Sequence, residues 1–179
     1  YLSTAYLRSG IRRLDPQEYR MNPYYRQIRI PEAHFGNWKL TIEKYKPYEA
    51  FVCDDIRTDE ELKEIPQIGF FDTEFSFPAV MEDGQEWMAI KPNEIETMRQ
   101  PIARAAGQVV AFGLGMGYYA FMVSEKPEVK TLTIVERDEN VIALFREHIL
   151  PQFPKKEKID IVRQDAFEFA TNCMSDGYY

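Results

Sequence analysis

No apolar run in the sequence approaches the ~18 residues that a membrane-crossing helix needs, so no membrane partner is expected. Cysteine is scarce. Cys53 and Cys173 are the only two in 179 residues, too few for a disulfide framework or a four-cysteine zinc site. Two reduced thiols in a cytoplasmic protein are the expectation. The two histidines, His34 and His148, have no cysteine or histidine at metal-ligand spacing, so no metal is expected. His148, near the end of a helix, reads as a surface group compatible with the helix dipole. Positive charge is also in deficit. With 22 basic and 29 acidic residues the formal charge is −7, which argues against wrapping duplex DNA through its phosphates. Neither a Gly-x-Ser-x-Gly elbow nor a Gly-Lys-Ser/Thr phosphate loop is present, nor a signal-peptide or lipidation pattern. The first residue is Tyr1 and the last three are Gly177-Tyr178-Tyr179, ends that suggest a piece of a longer polypeptide, cut short at its C-terminal side.

What is present is the composition of a cored protein. Hydrophobic residues make up 45% and aromatics 14%, too rich for a chain that stays disordered. Residues 1–50 carry nine basic and five acidic residues, and 51–100 carry four and thirteen. Seven of the eleven tyrosines lie in the first fifty residues. A basic, tyrosine-rich start of this kind is expected to pack on its acidic neighbour. The acidic run from Asp54-Asp55 to Glu64 reads as a solvated face rather than a cation site.

The first segment reads as short helices. One spans Ser3–Ser9 with Gly10 as its stop, and a second starts at Asp15, with Pro16 in its first turn and Glu18 closing a capping box. Trp38, Leu40 and Ile42 alternate with Lys39, Thr41 and Glu43, which predicts a half-buried strand, with residues 49–53 as its partner. Thr58-Asp59-Glu60-Glu61 predicts another short helix. Residues 75–81 and 86–90 flank Asp83-Gly84, a hairpin signal. Pro78 should put the first of these strands on an edge. Asn93 with Glu96 starts a helix whose face carries Ile95, Met98, Ile102 and Ala106, and Gly107 ends it.

From there strands and helices alternate. The strands are 109–112, 131–135 and 159–162, and the helices 118–124, 139–149 and 167–172. This order predicts a Rossmann-like, doubly wound, mostly parallel α/β sheet, of which only the first half is present. Residues 1–92 then form a small α+β region and 93–179 the sheet-bearing half-domain.

The most informative stretch is Val109-Val110-Ala111-Phe112-Gly113-Leu114-Gly115-Met116-Gly117. Its three spaced glycines arise by chance in such a chain at roughly 2%. Glycine suits a sharp turn from strand to helix, and it also suits backbone lying bare against a ligand. A tight turn with no ligand is the alternative. Gly-x-Gly-x-Gly is not the dinucleotide pattern, because Tyr118 stands where that pattern needs glycine or alanine. A nucleoside ligand without phosphates fits better, such as S-adenosylmethionine. Glu136, at the end of the second strand, is positioned to accept both ribose hydroxyls. Asp138 reads as the cap of the next helix. Asp165, at the end of the third strand, could accept from an adenine amine or cap the following helix, and one residue could do both. Ala166 offers its backbone N–H to a ring nitrogen.

Gly113-Leu114-Gly115-Met116-Gly117, Val135-Glu136-Arg137-Asp138 and Gln164-Asp165-Ala166-Phe167 resemble the first three motifs of class I S-adenosylmethionine-dependent methyltransferases, in the spermidine-synthase-like branch. The resemblance covers residues 105–172. It implies S-adenosylmethionine as cofactor, held by Gly113, Leu114, Gly115, Gly117, Glu136, Arg137, Asp165 and Ala166. Arg137 stands where the family commonly has an apolar residue against the adenine, and Ala111 where many members have an acid. The branch's aminopropyltransferases carry a glutamine after the hairpin and a Tyr-His-Glu run in the next helix. Here those regions read Trp87-Met88-Ala89-Ile90 and Ile95-Glu96-Thr97-Met98-Arg99. The expectation is therefore methyl transfer to a small-molecule or macromolecular acceptor. Aminopropyl transfer and a non-catalytic nucleoside-binding module of the same fold are the alternatives. In the family, acceptor-side groups come from a fourth strand, which would follow Tyr179.

Overall fold

The computed structural model describes residues 10–173, so the helix expected over Ser3–Ser9 lies outside the described residues. Among the described residues the fold is mixed α/β with three sheets. After β1 (Ile11–Arg13) come two one-turn helices, α1 (Pro16–Arg20) and α2 (Pro23–Gln27). Each begins with proline in its first turn after an Asx cap. Asp15 accepts from the Gln17 N–H at 2.8 Å and Asn22 from the Tyr24 N–H at 3.0 Å. Proline fits there because its missing N–H would have no intrahelical partner. Among the described residues Glu18 makes no side-chain bond back to Asp15, so the cap is Asp15 alone.

Four strands form an antiparallel sheet in the order β2-β3-β6-β7 (Ala33–Phe35, Trp38–Tyr45, Phe75–Glu82, Gln85–Ala89). The hairpin between β6 and β7 turns at Asp83 and Gly84, both at positive φ (48° and 79°), as a two-residue primed turn requires. Pro78 does not lie on an edge: β6 is flanked by β3 and β7. Its carbonyl accepts from the Ile90 N–H on the β7 side, so its nitrogen faces that side too. The Ile90 carbonyl, which a residue other than proline would bond there, takes the Tyr25 hydroxyl instead. The alternation expected along β3 holds at Trp38 and Leu40 but fails further on. Thr41 is buried and Ile42 is 50% exposed, beyond the point where β2 stops pairing at Leu40.

A second sheet, β1-β5-β4, takes in β4 (Phe51–Thr58) and β5 (Glu64–Phe70). The partner of β4 is thus β5 and not β3. Thr58 ends β4 and residues 59–63 form the hairpin connection to β5, rather than a helix. The Asp59 Oδ1 accepts from the Glu61 and Lys63 N–H groups, both at 2.9 Å, so a short acidic side chain closes the turn.

Helix α3 (Pro92–Arg104) is capped by Lys91, two residues before the Asn93 start expected, because Pro92 occupies its first position. It stops at Arg104, where Lys126 Nζ donates to the carbonyls of Ile102, Ala103 and Ala105 at 2.7–2.8 Å. Ala106 is exposed, and Gly107 opens the next strand.

The third sheet is entirely parallel, in the order β10-β9-β8 (Ile159–Arg163, Val129–Glu136, Gly107–Phe112). Helix α4 (Tyr118–Ser124) lies between β8 and β9. Helix α5 (Glu139–Leu144), which continues as a π-turn through Ile149, lies between β9 and β10, and α6 (Ala166–Cys173) follows β10. Asp138 caps α5 as expected, accepting from Asn140 and Val141. One apolar core joins all of this, from Tyr19 and Phe75 in the antiparallel part to Leu132, Phe145 and Phe153 beside the parallel sheet. The basic start does meet acidic neighbours: Arg13 pairs with Asp72, Arg12 with Asp54 at 3.7 Å and Lys44 with Glu74 at 2.9 Å. Such exposed pairs contribute little stability. No helix among the described residues is long and apolar enough to cross a membrane.

Candidate functional site

The three segments singled out in the sequence meet at the carboxyl ends of the parallel strands. Backbone register does this. The Gly113 N–H donates to the Val135 carbonyl at 2.9 Å, and the Gln164 N–H to the Glu136 carbonyl at 3.1 Å. A loop then leads from β8 into α4. Gly113, Gly115 and Gly117 all have positive φ, at 84°, 49° and 72°, a region costly for residues with a Cβ.

The three glycines face different surroundings. A Cβ on Gly117 would lie 2.3 Å from Phe145 Cε2, so this glycine lets α4 approach the core. A Cβ on Gly115 would lie 2.0 Å from Met88 Sδ, a side chain delivered by β7. A Cβ on Gly113 would meet nothing within 4 Å. Of the three, only Gly113 presents bare backbone to open space. Gly115, expected against the ligand, lies against Met88.

Glu136 sits at the centre. Its Oε2 accepts from the Leu114 N–H at 3.0 Å and its Oε1 from the Asp138 N–H at 2.9 Å. The carboxylate thus ties the glycine loop to the start of α5. Each oxygen keeps a further acceptor lone pair. Asp165 caps α6 through Oδ1, which accepts from Phe167 and Glu168 at 2.9 and 3.2 Å. The cap uses one oxygen of the two. Ala166 is the first residue of α6 and half-buried. Arg137 is exposed. Phe112 and Phe167, 47% and 84% exposed, adjoin Gly113 and Ala166 in the chain.

The loop is also gripped from the N-terminal region. The Tyr24 hydroxyl, on α2, donates to the Met116 carbonyl at 2.6 Å, with both residues fully buried. Burial pushes that hydroxyl well above the ordinary tyrosine range, so it stays a donor. Asn22 donates to the Tyr118 hydroxyl at 2.9 Å. Tyr118 is therefore directed at α1 and α2. Tyr24, Met88 and Phe145 were not singled out from the sequence. The density of tyrosine in the first fifty residues was the one signal pointing toward Tyr24.

Elsewhere the expected chemistry is sparse. Among the described residues no group of three His, Cys, Asp or Glu could hold a metal. Asp54 is occupied by Arg12 and Arg57. His148 lies near the end of the π-turn with its ring edge against Phe35. Cys53 and Cys173 are free. No family model matches the chain, and no curated protein matches it.

Proposed function

We propose that the chain binds S-adenosylmethionine at the carboxyl ends of the parallel strands and serves as a methyltransferase. The observation that carries this is the pairing of bare, open backbone at Gly113 with the Glu136 carboxylate, hydrogen-bonded to the same loop. In this reading β8, β9 and β10 with their helices are the first half of a Rossmann-like sheet, and residues 93–179 are the ligand-binding part. Glu136 accepts the ribose hydroxyls, the free oxygen of Asp165 and the Ala166 N–H meet the base, and Gly113 lets the ligand lie against the chain. Residues 1–92 shape the acceptor side. Bound S-adenosylmethionine supplies an activated methyl group on its sulfonium. What the protein adds is mainly proximity and alignment of the acceptor. The setting is the cytoplasm, where both thiols stay reduced.

The test is isothermal titration with S-adenosylhomocysteine and with NAD, on the protein and on Glu136→Gln. The protein should bind S-adenosylhomocysteine and not NAD. Glu136→Gln keeps the shape but weakens charge-assisted bonds that contribute about 1.5–3 kcal/mol each, so affinity should fall at least about tenfold. Tight NAD binding with no response to S-adenosylhomocysteine would overturn the assignment.

A further inference from the structure

Of the two side chains that close glycine faces in the loop, one is fixed and the other is displaceable. Phe145, on Gly117, is fully buried and packs edge-on against Phe153. Met88, on Gly115, is half-buried, and methionine is unbranched with three rotatable bonds. It is carried by β7, the edge strand of its sheet. The ladder between β6 and β7 slips just before it: Val80 pairs with Met88 and Met81 with Glu86, leaving Trp87 as an extra residue. Such a bulge bends a strand and re-aims its side chains. Here Trp87 is turned out, 60% exposed, with its ring edge on Trp38, and Met88 is seated on the loop.

Resting on the S-adenosylmethionine reading above, we infer that Met88 is a thioether cover over the ligand face of Gly115. The ligand must displace it, and so it sets the site's affinity. Gly113 and Gly115 are two residues apart in the loop that Glu136 holds through Leu114, with Met88 on the Gly115 face, and in this inference a nucleoside bound to Glu136 extends over both glycines. Only molecules with the cover lifted bind, and the observed affinity is lowered by their fraction. The N-terminal region thereby contributes a specificity-setting side chain to a site otherwise built by the parallel sheet.

The experiment titrates S-adenosylhomocysteine into the protein, Met88→Ala and Met88→Leu by calorimetry, and follows tryptophan emission of the unaltered protein during the titration. Trp38 and Trp87 are the chain's only tryptophans, and Trp87 adjoins the cover. Met88→Ala should bind about fivefold tighter, even though lost packing lowers its unfolding midpoint. Met88→Leu, a branched and stiffer cover of similar volume, should bind no tighter than the unaltered protein, and tryptophan emission should change on binding. Equal or weaker binding by Met88→Ala overturns the cover and leaves the ligand reading standing. So does unchanged tryptophan emission in a protein that binds, whether or not Met88→Ala folds. No heat from any of the three proteins overturns the ligand reading, and the cover with it.

Discussion

The parallel sheet and the antiparallel region before it hold the same glycine loop by different means. The parallel sheet holds it with backbone in register, Gly113 on Val135, and with the Glu136 side chain on Leu114. The antiparallel region and its short helices reach the loop with long side chains, the Tyr24 hydroxyl on Met116 and the Met88 thioether on Gly115. Strand ends therefore fix where the loop lies. Side chains close its faces: Phe145 covers Gly117, Met88 covers Gly115, and Gly113 stays open.

That contrast is easiest to break at Gly117. Gly117→Ala puts a methyl 2.3 Å from Phe145 Cε2 at a φ of 72°. Overpacking and left-handed strain together cost roughly 2–5 kcal/mol. Scanning calorimetry should find the unfolding midpoint lower by roughly 5–15 °C. An unchanged midpoint would mean that Phe145 does not constrain the loop. Tyr24→Phe comes next. It removes one hydroxyl and leaves the buried Met116 carbonyl without its partner, a cost of about 1–3 kcal/mol. Urea unfolding should show a lower midpoint at constant slope. If the midpoint stays put, the N-terminal region does not hold the loop from beneath.

The smallest effect lies at the junction of the two regions, in the first turn of α3. Burial raises the Glu94 carboxyl above the ordinary glutamate value; Lys91 opposes this and Glu86 adds to it. The folded protein then binds that proton more tightly than the unfolded chain. The stabilisation is fully present below the unfolded glutamate pKa, about 4.3, and is lost as pH rises through the raised folded value. Glu94→Gln should match the unaltered protein in acid and be slightly more stable at pH 7. Solvent screening at this half-buried site keeps the difference under about 1 kcal/mol. Unfolding midpoints at several pH values check it, and a gap that grows toward acid would contradict the sign.

The same contrast governs what the sequence reveals. Helix α4 runs over the residues its pattern predicts, Tyr118–Ser124. The Asp83-Gly84 hairpin and the Asp138 cap also stand where local chemistry puts them. These signals are complete within a few residues. Strand β5 is interrupted by Pro66 and Gly69, and its pairing with β1 and β4 depends on distant segments, so it is not legible locally. Pro78 marks an edge by rule, yet it lies inside a sheet because the Tyr25 hydroxyl takes the carbonyl that proline leaves unbonded. In the candidate site, the three glycines look equivalent in sequence. Their different faces come from Met88 and Phe145, which no spacing rule ties to the loop.

The central claim is that the open backbone at Gly113 is a ligand surface and not merely a turn. Gly113→Ala tests it most directly, because its methyl meets no protein atom within 4 Å, whereas Gly115→Ala and Gly117→Ala collide with side chains. The positive φ alone costs about 1–2 kcal/mol of stability. Unfolding midpoint and S-adenosylhomocysteine affinity must both be measured on this variant, with binding read well below the midpoint. The account predicts a modest drop in midpoint and an affinity loss exceeding tenfold, or about 1.4 kcal/mol. A variant that melts earlier yet binds S-adenosylhomocysteine like the unaltered protein would contradict it, leaving the glycine as a turn residue only.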